Sequence, residues 1–440
     1  MTLALAGQLG KFNEELETIN GITISDTPIT LCNSFPIKGE HTSLDNPREI
    51  HTLNVNRVFI GAHFGSTDDI RFNKVVVQFE GLFQWSPFKG AKGEIQHSSG
   101  KSTGISAGVE FENAIEVTIN DIRISLHHLT GQNMSLNALE ISNDSAFHIE
   151  YSKLTPWSQI SNTIDVLQDL LTFSLQIAIK ATRVEGFNEN IEETLGIKDI
   201  TNEVTRIKPI AIIYLQKGKD KETSHSYLQD AIITLRQGHF EFDDLMTKWF
   251  KFISKCRGSQ TAYLSTYYLN NMHLEDKFSS LCTAIEAFHR ETIGGWVKSK
   301  KDFDELVSTM VNAVPEEDNK RFVREKMKYA NEPSLRHRLK AILGGLEIFV
   351  KFKDRARFID RTVKTRNYFA HMDSESKDGV LNGIKVYHYG EFLNMIMQIL
   401  VLRWLGCEDS SITKSLRNRQ YYSLREALKN ELTELLPEDT

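Results

Sequence analysis

Cysteine is scarce: Cys32, Cys256, Cys282 and Cys407 are widely separated in 440 residues, with no CxxC pair or other metal spacing. That excludes a disulfide framework and a zinc site as organising principles, and it fits a reducing cytoplasm. Long apolar runs are missing too. The best candidate, Phe392 to Leu405, is short and broken by Arg403, so it reads as a core helix and not as a membrane span. The opening MTLALAGQLGKFNEE has no basic stretch and too short an apolar run for a secretory signal. Paired metal ligands are absent: His127 and His128 are adjacent, which on a strand sends them to opposite faces. The expectation is a protein that needs no metal, no cofactor and no membrane.

Charge of one sign is also missing overall, since the net charge is −6, but the balance is uneven along the chain. Residues 1–240 carry 20 Lys/Arg against 29 Asp/Glu, and residues 241–440 carry 32 against 29. Lys320 to Arg366 alone holds 15 basic residues against 5 acidic ones. One reading is a solvated helix face. The other is a phosphate-binding footprint, because clustered cations gain affinity by releasing counterions from nucleic acid.

With 40% hydrophobic residues there is ample material for two or three cores. The first half reads as strands. Val75, Val77 and Phe79 alternate with polar partners, as do Ile115, Val117 and Ile119, and the phase resets after Asn120-Asp121 at a tight turn or bulge. RVFIGAHF, FHIEYS, LQIAIKATRV, IKPIAIIYLQ and DAIITLRQ look like further strands, and KGKDKETSHS like an exposed loop joining the last two. One helix interrupts them near Ser158–Phe173. From Phe240 the period becomes helical: Phe278, Leu281, Cys282, Ile285 and Phe288 form one stripe, and Phe358, Ile359, Val363 and Ala370 another. Phe392, Met395, Ile396, Ile399 and Leu400 form a third, and SLREALKNELTELL closes the chain as an amphipathic helix. The expected class is α+β: a β-rich, sandwich-like domain over 1–238, then an all-α bundle over 239–440.

Two motifs invite chemistry. GKST at Gly100–Thr103 lacks the P-loop glycine five positions before Gly100, and its lead-in is polar, so it reads as a loop. RTVKTRNYFAHMD, Arg361 to Asp373, places Arg366, Asn367 and His371 on a helix. Arg57…His63 and Arg123…His128 have similar spacing but lie on expected strands, where such separations keep the side chains apart. An arginine on the stripe of Ile359, Val363 and Ala370 needs a neutralising partner, and Glu286, on the edge of its own helix's stripe, is the candidate. His289, one turn further, reads as a core histidine. A histidine can exchange a proton with a 2′-hydroxyl or a leaving 5′-oxygen, and a guanidinium can hold a phosphate and stabilise charge building there.

These residues resemble the HEPN family. RNYFAH is similar to its R-x4-6-H signature, and KFSSLCTAIEAFHRE (277–291) to the ApeA-like HEPN group, in which an acidic residue sits in such a segment. FLNMIMQILVLRWLG (392–406) looks like that group's final helix. NRVFIGAHFGS and VVVQFEGLFQWS resemble the β-rich domain that precedes HEPN in ApeA proteins. The resemblance implies an anti-phage abortive-infection protein whose HEPN domain is a metal-independent, cytoplasmic endoribonuclease. It implies a homodimer in which two motifs face one cleft, with Arg366 and His371 catalytic, Asn367 the polar residue after the arginine and Glu286 the acidic support. Arg355, Arg357, Arg361 and Lys364 are the expected RNA contacts. The expected partners are RNA, tRNA among the candidates, and a phage-derived trigger sensed by the β-rich domain. One alternative is a non-catalytic HEPN scaffold that binds RNA or a partner protein. Another is a nucleotide-sensing regulator acting through the β-rich domain.

Overall fold

The computed structural model describes residues 3–4, 16–41, 49–98, 101–135, 138–195, 204–218, 230–238, 240–269, 271–371, 378–417 and 419–436. The chain divides into two compact units, Met1–Leu228 with Ile233–Thr247, and Gln229–Ile232 with Lys248–Thr440.

The first unit is built on strands β1 (Leu3–Ala4), β2 (Leu16–Thr23), β3 (Pro28–His41), β4 (Glu49–Ile60), β5 (Arg71–Phe79), β6 (Lys92–Ser98), β7 (Lys101–Gly108), β8 (Ile115–Ile119), β9 (Ile122–Ser135), β10 (Ala138–Pro156), β11 (Ala181–Leu195) and β12 (Val204–Tyr214). Among the described residues, ten of them form one sheet in the order β1-β2-β3-β4-β12-β11-β5-β10-β9-β8, its described pairings all antiparallel. β6 and β7 pair separately as a ribbon. Alternation gives β5 its two faces: Val75, Val77 and Phe79 are buried, while Lys74, Val76 and Gln78 are half-buried on the other side. The short helix α1 (Leu82–Trp85) follows β5, and α2 (Trp157–Leu175) packs against β5 and β10. Ile160, Ile164, Leu167 and Leu171 of α2 are fully buried, at the expected helical spacing. Trp157 makes edge contacts with Phe59 and Phe72, and Phe64 meets both phenylalanines.

The β-rich reading is therefore right, but a helix lying on a single sheet replaces the expected sandwich. Asn120 and Asp121 do form a tight turn, both at positive φ (49° and 64°), which polar side chains tolerate. Three segments differ. LQIAIKATRV begins on the last residue of α2 and becomes strand only at Ala181. The described part of DAIITLRQ is irregular and ends in a 3-10 turn over Leu235–Gln237, with Thr234 accepting from the Gln237 amide. Lys101 to Thr103 belong to β7, not to a loop, and Gly100 lies outside the described residues, as does most of KGKDKETSHS.

The second unit contains α3 (Phe242–Lys255, in which the division between the units falls), α4 (Arg257–Tyr268), α5 (Leu274–Thr292), α6 (Lys300–Asn312), α7 (Glu317–Met327), α8 (Leu335–Gly344), α9 (Arg355–His371), α10 (Ile384–Trp404), α11 (Asp409–Leu416) and α12 (Arg419–Ala427). It is not wholly helical. β13 (Val350–Phe352) pairs antiparallel with β14 (Leu432–Leu435), so the closing segment SLREALKNELTELL is helix only to Ala427. Leu428, Leu432 and Leu435 follow a helical spacing, yet all three are buried around a turn and strand.

Within this unit α5 is central: it packs against α4, α8, α9 and α10. Phe278, Leu281, Cys282, Ile285 and Phe288 are buried, as their spacing requires. α10 is buried nearly all round from Tyr389 to Leu402, which is why it reads as almost continuously apolar.

Candidate active site

The site is built on α9 and on the faces of α5 and α8 that pack against it. Asp354 starts α9 by accepting from the Arg357 amide at 2.9 Å, as an N-cap carboxylate does. Phe358 stacks on Tyr389 (4.8 Å between ring centroids) and meets Phe392 edge-on (5.2 Å), fixing the first half of the helix to α10. Phe369 meets Phe278 edge-on at 6.0 Å, fixing the second half to α5. Thr365 is fully buried and accepts from the Leu381 amide at 2.9 Å.

This packing corrects the expected stripe. The buried residues of α9 are Phe358, Ile359, Thr362 and Thr365, while Val363 is half-buried and Ala370 exposed. The helix is thus rotated, and half-buried Arg366 falls on the Ile359 side of the buried arc, about 20° from Ile359 and about 40° from Thr362. Its guanidinium points to α5, with Nη2 3.7 Å from Glu286 Oε2 and Nη1 3.3 Å from Asn367 Oδ1. Glu286 is thereby placed where it was expected, next to Arg366.

Glu286 is shared. Arg290 Nη2 and Arg338 Nε each lie 3.9 Å from its Oε1. Arg338 is only 1% exposed and is held by the Pro333 carbonyl (2.8 Å), Glu332 (3.4 Å) and His289 Nδ1 (3.3 Å). Arg290 also reaches Glu332 at 3.2 Å. Three guanidiniums therefore meet two carboxylates, and none of the three is within hydrogen-bond distance of Glu286. Arg366 keeps donors for a further anion. His289 is buried as expected, and its pKa is lowered by desolvation and by the Arg338 charge. Burial likewise pushes the Cys282 thiol up to about 12, so it is no nucleophile. Arg338 was missed in the sequence because RHRLK reads as a solvated charge run.

Asn367 and His371 are exposed on the outer side of α9, one turn apart. Arg366 and His371 are about 140° apart round the helix and about 7.5 Å apart along it. His371 makes no hydrogen bond or ion pair to any described residue. Arg357, Lys364 and His371 recur every seven residues, so they share one outward stripe with Asn367.

The expected RNA contacts behave unevenly. Arg355 pairs with Glu347 (2.8 Å), Arg361 with Glu431 (3.5 Å) and Lys364 with Asp360 (3.2 Å), while Arg357 is exposed and makes no ion pair among the described residues. Elsewhere in the basic run, Lys320 pairs with Glu317, Arg321 with Asp318, Arg336 with Asp360 and Lys351 with Glu434. Several of these acids lie outside the run, so its excess of positive charge is smaller in space than along the chain. Among the described residues no three His, Cys, Asp or Glu are grouped to hold a metal ion. No helix there is long and apolar enough to cross a membrane.

Residues 2–249 match the family model for the ApeA N-terminal domain 1, and residues 279–411 match that for the Apea-like HEPN domain. No curated protein and no solved structure matches the chain.

Proposed function

Because this chain belongs to the ApeA-like HEPN family, a group suggestive of anti-phage defence, we propose that its helical unit is a metal-independent endoribonuclease acting through Arg366 and His371. The observation that carries this reading is the pairing of Arg366 with Glu286. A guanidinium held loosely by a shared carboxylate is oriented yet still able to take a phosphate. His371 supplies an exposed imidazole on the same helix.

In the proposed reaction the 2′-oxygen attacks the adjacent phosphorus, the 2′-proton passes to an imidazole, and the bond to the 5′-oxygen breaks. That oxygen leaves with a proton from an imidazole, giving a 2′,3′-cyclic phosphate and a 5′-hydroxyl. Arg366 holds the phosphate oxygens as charge builds on them, and Asn367 hydrogen-bonds the phosphate or the imidazole. The two proton transfers occur on opposite sides of the phosphorus, and Arg366 and His371 diverge round α9. Both facts favour a homodimer in which the second copy's His371 serves the other transfer. In this reading Arg357 contacts RNA, tRNA among the candidate substrates, while Arg355, Arg361 and Lys364 contribute less because carboxylates hold them. The β-rich unit, over about residues 1–238, holds the nuclease quiet until a phage-derived trigger arrives.

The same divergence favours one other reading, a scaffold that binds RNA or a partner protein without cutting. Purified protein in EDTA should cleave RNA, and His371→Ala should not. Cleavage that persists in a folded His371→Ala protein rules out this site, and protection against phage that persists without cleavage supports the scaffold.

A further inference from the structure

The cations of the helical unit differ in what neutralises them. On α9, Arg355, Arg361 and Lys364 each face a carboxylate. A second basic cluster, beside β13, β14 and α12, follows this rule only at Lys429, which Glu426 holds. Lys353, Arg417, Arg425 and Lys429 line a groove of about 700 Å³ together with Tyr421 and the residues of β14. Lys353 Nζ donates to the Lys429 carbonyl at 2.5 Å, and Arg417 donates through Nε (3.2 Å) and Nη2 (2.6 Å) to the Leu436 carbonyl. Carbonyls orient these cations without cancelling their charge. Lys353, Arg417 and Arg425 make no ion pair among the described residues, although Arg425 lies near Glu426. Of the two lining carboxylates, Glu426 is engaged by Lys429, and Glu434 by Lys351 at 2.7 Å.

We propose that this groove anchors the phosphate backbone of RNA, away from Arg366 and His371. The proposal rests on the reading of the helical unit as an RNA-acting domain. Its geometry is that of a polar, positively charged channel with donors already oriented, which suits a chain of phosphates better than an apolar partner. The groove also connects to the candidate site. Lys353 is two residues before α9, and Arg361 of α9 reaches Glu431 at the foot of β14. From there Arg357, Lys364 and His371 lie on one outward stripe, with His371 about 24 Å along α9 from Arg355. A single phosphate or mononucleotide cannot occupy both ends of that path. A single strand can, with its backbone in the groove and its scissile phosphate near His371. The sequence hid this cluster because Lys353 is more than sixty residues from Arg417, and Arg425 and Lys429 sat in what reads as an ordinary amphipathic helix.

The test uses the full chain and a fluorescein-labelled, 2′-O-methylated oligoribonucleotide, which 2′-hydroxyl attack cannot cleave. Affinity is measured against salt for wild type and for the triple variant Lys353→Gln, Arg417→Gln, Arg425→Gln. Each phosphate of a single strand that a cation no longer neutralises takes about 0.7 off the slope of log affinity against log salt, so the slope of the triple variant should fall by about 2. Its affinity near physiological salt should fall at least tenfold, while Lys353→Arg with Arg425→Lys keeps wild-type binding. Unchanged affinity and slope in a triple variant with a wild-type circular dichroism spectrum overturn the proposal. So does equal binding of poly-L-glutamate by the wild type, which would mark the groove as a polypeptide site. Because the probe is uncleavable, groove-dependent binding by a protein that cuts no RNA would leave this site standing and remove only the ribonuclease reading.

Discussion

Arg366 of α9 and Glu286 of α5 face each other at 3.7 Å, close enough to attract and too far to hydrogen-bond. Arg290 and Arg338 compete for the same carboxylate at 3.9 Å. The carboxylate orients Arg366 while leaving its donors available. Glu286→Gln removes that charge and keeps the shape. We expect a loss of about 1–2 kcal/mol of transition-state stabilisation, roughly tenfold in kcat/KM for RNA. An unchanged kcat/KM would remove Glu286 from the site.

Arg338 is the structural pivot of the same cluster, buried among Glu286, Glu332, His289 and the Pro333 carbonyl. Arg338→Ala leaves a cavity and strips a cation from two carboxylates. The expected cost is about 3 kcal/mol, read as a lowered urea midpoint for the helical unit. Arg338→Lys should recover part of it, since a lysine retains the charge but not the planar fork.

In the β-rich unit Gly186 is held by space rather than by backbone angle. A β-carbon there would come within 2.6 Å of the Phe72 ring, which is itself fully buried against Phe59, Phe64 and Trp157. Gly186→Ala should destabilise this unit by about 1–3 kcal/mol through overpacking. Gly186→Ala combined with Phe72→Leu should regain part of that loss in thermal melts.

His127 and His148 stack at 3.7 Å between ring centroids on the half-exposed face of the sheet, among Ser125, Lys74, Arg123, Glu116 and Glu150. Burial lowers both pKa values, with Lys74 adding to the effect. For His148, the neighbouring His127 adds more, bringing it to about 4. The unfolded chain therefore takes up a proton before the folded one does. The stability gained from a neutral His148 is present above the ordinary imidazole range and is lost as pH falls from about 6.5 to about 4. The loss is at most about 1.4 kcal/mol per pH unit. His148→Gln should flatten that part of the denaturation profile, and an equally steep profile in the variant would contradict this assignment.

Much of this could be seen in the sequence wherever pattern is set by local geometry. Val75, Val77 and Phe79 announced a half-buried strand, and the α5 stripe announced a core helix with Glu286 at its edge. What covers the sheet was not legible, because alternation marks a buried face without naming the element that buries it. β14 was missed because Leu428, Leu432 and Leu435 suit a helix as well as a turn and strand. The basic run was overstated because Glu431 and Glu434, outside it in sequence, neutralise Arg361 and Lys351 from positions that only folding brings near. The rotation of α9 about its axis followed from aromatic contacts with α5 and α10, which no single-helix periodicity contains.

Arg366 and His371 are proposed to cut RNA without a metal. Total RNA incubated with the purified chain in EDTA, then sequenced by a method that captures 2′,3′-cyclic phosphate ends, tests it most directly. New cyclic-phosphate ends are expected with wild type and none with His371→Ala or Arg366→Ala. The same ends produced by a folded His371→Ala protein, or none produced by wild type, would contradict that proposal.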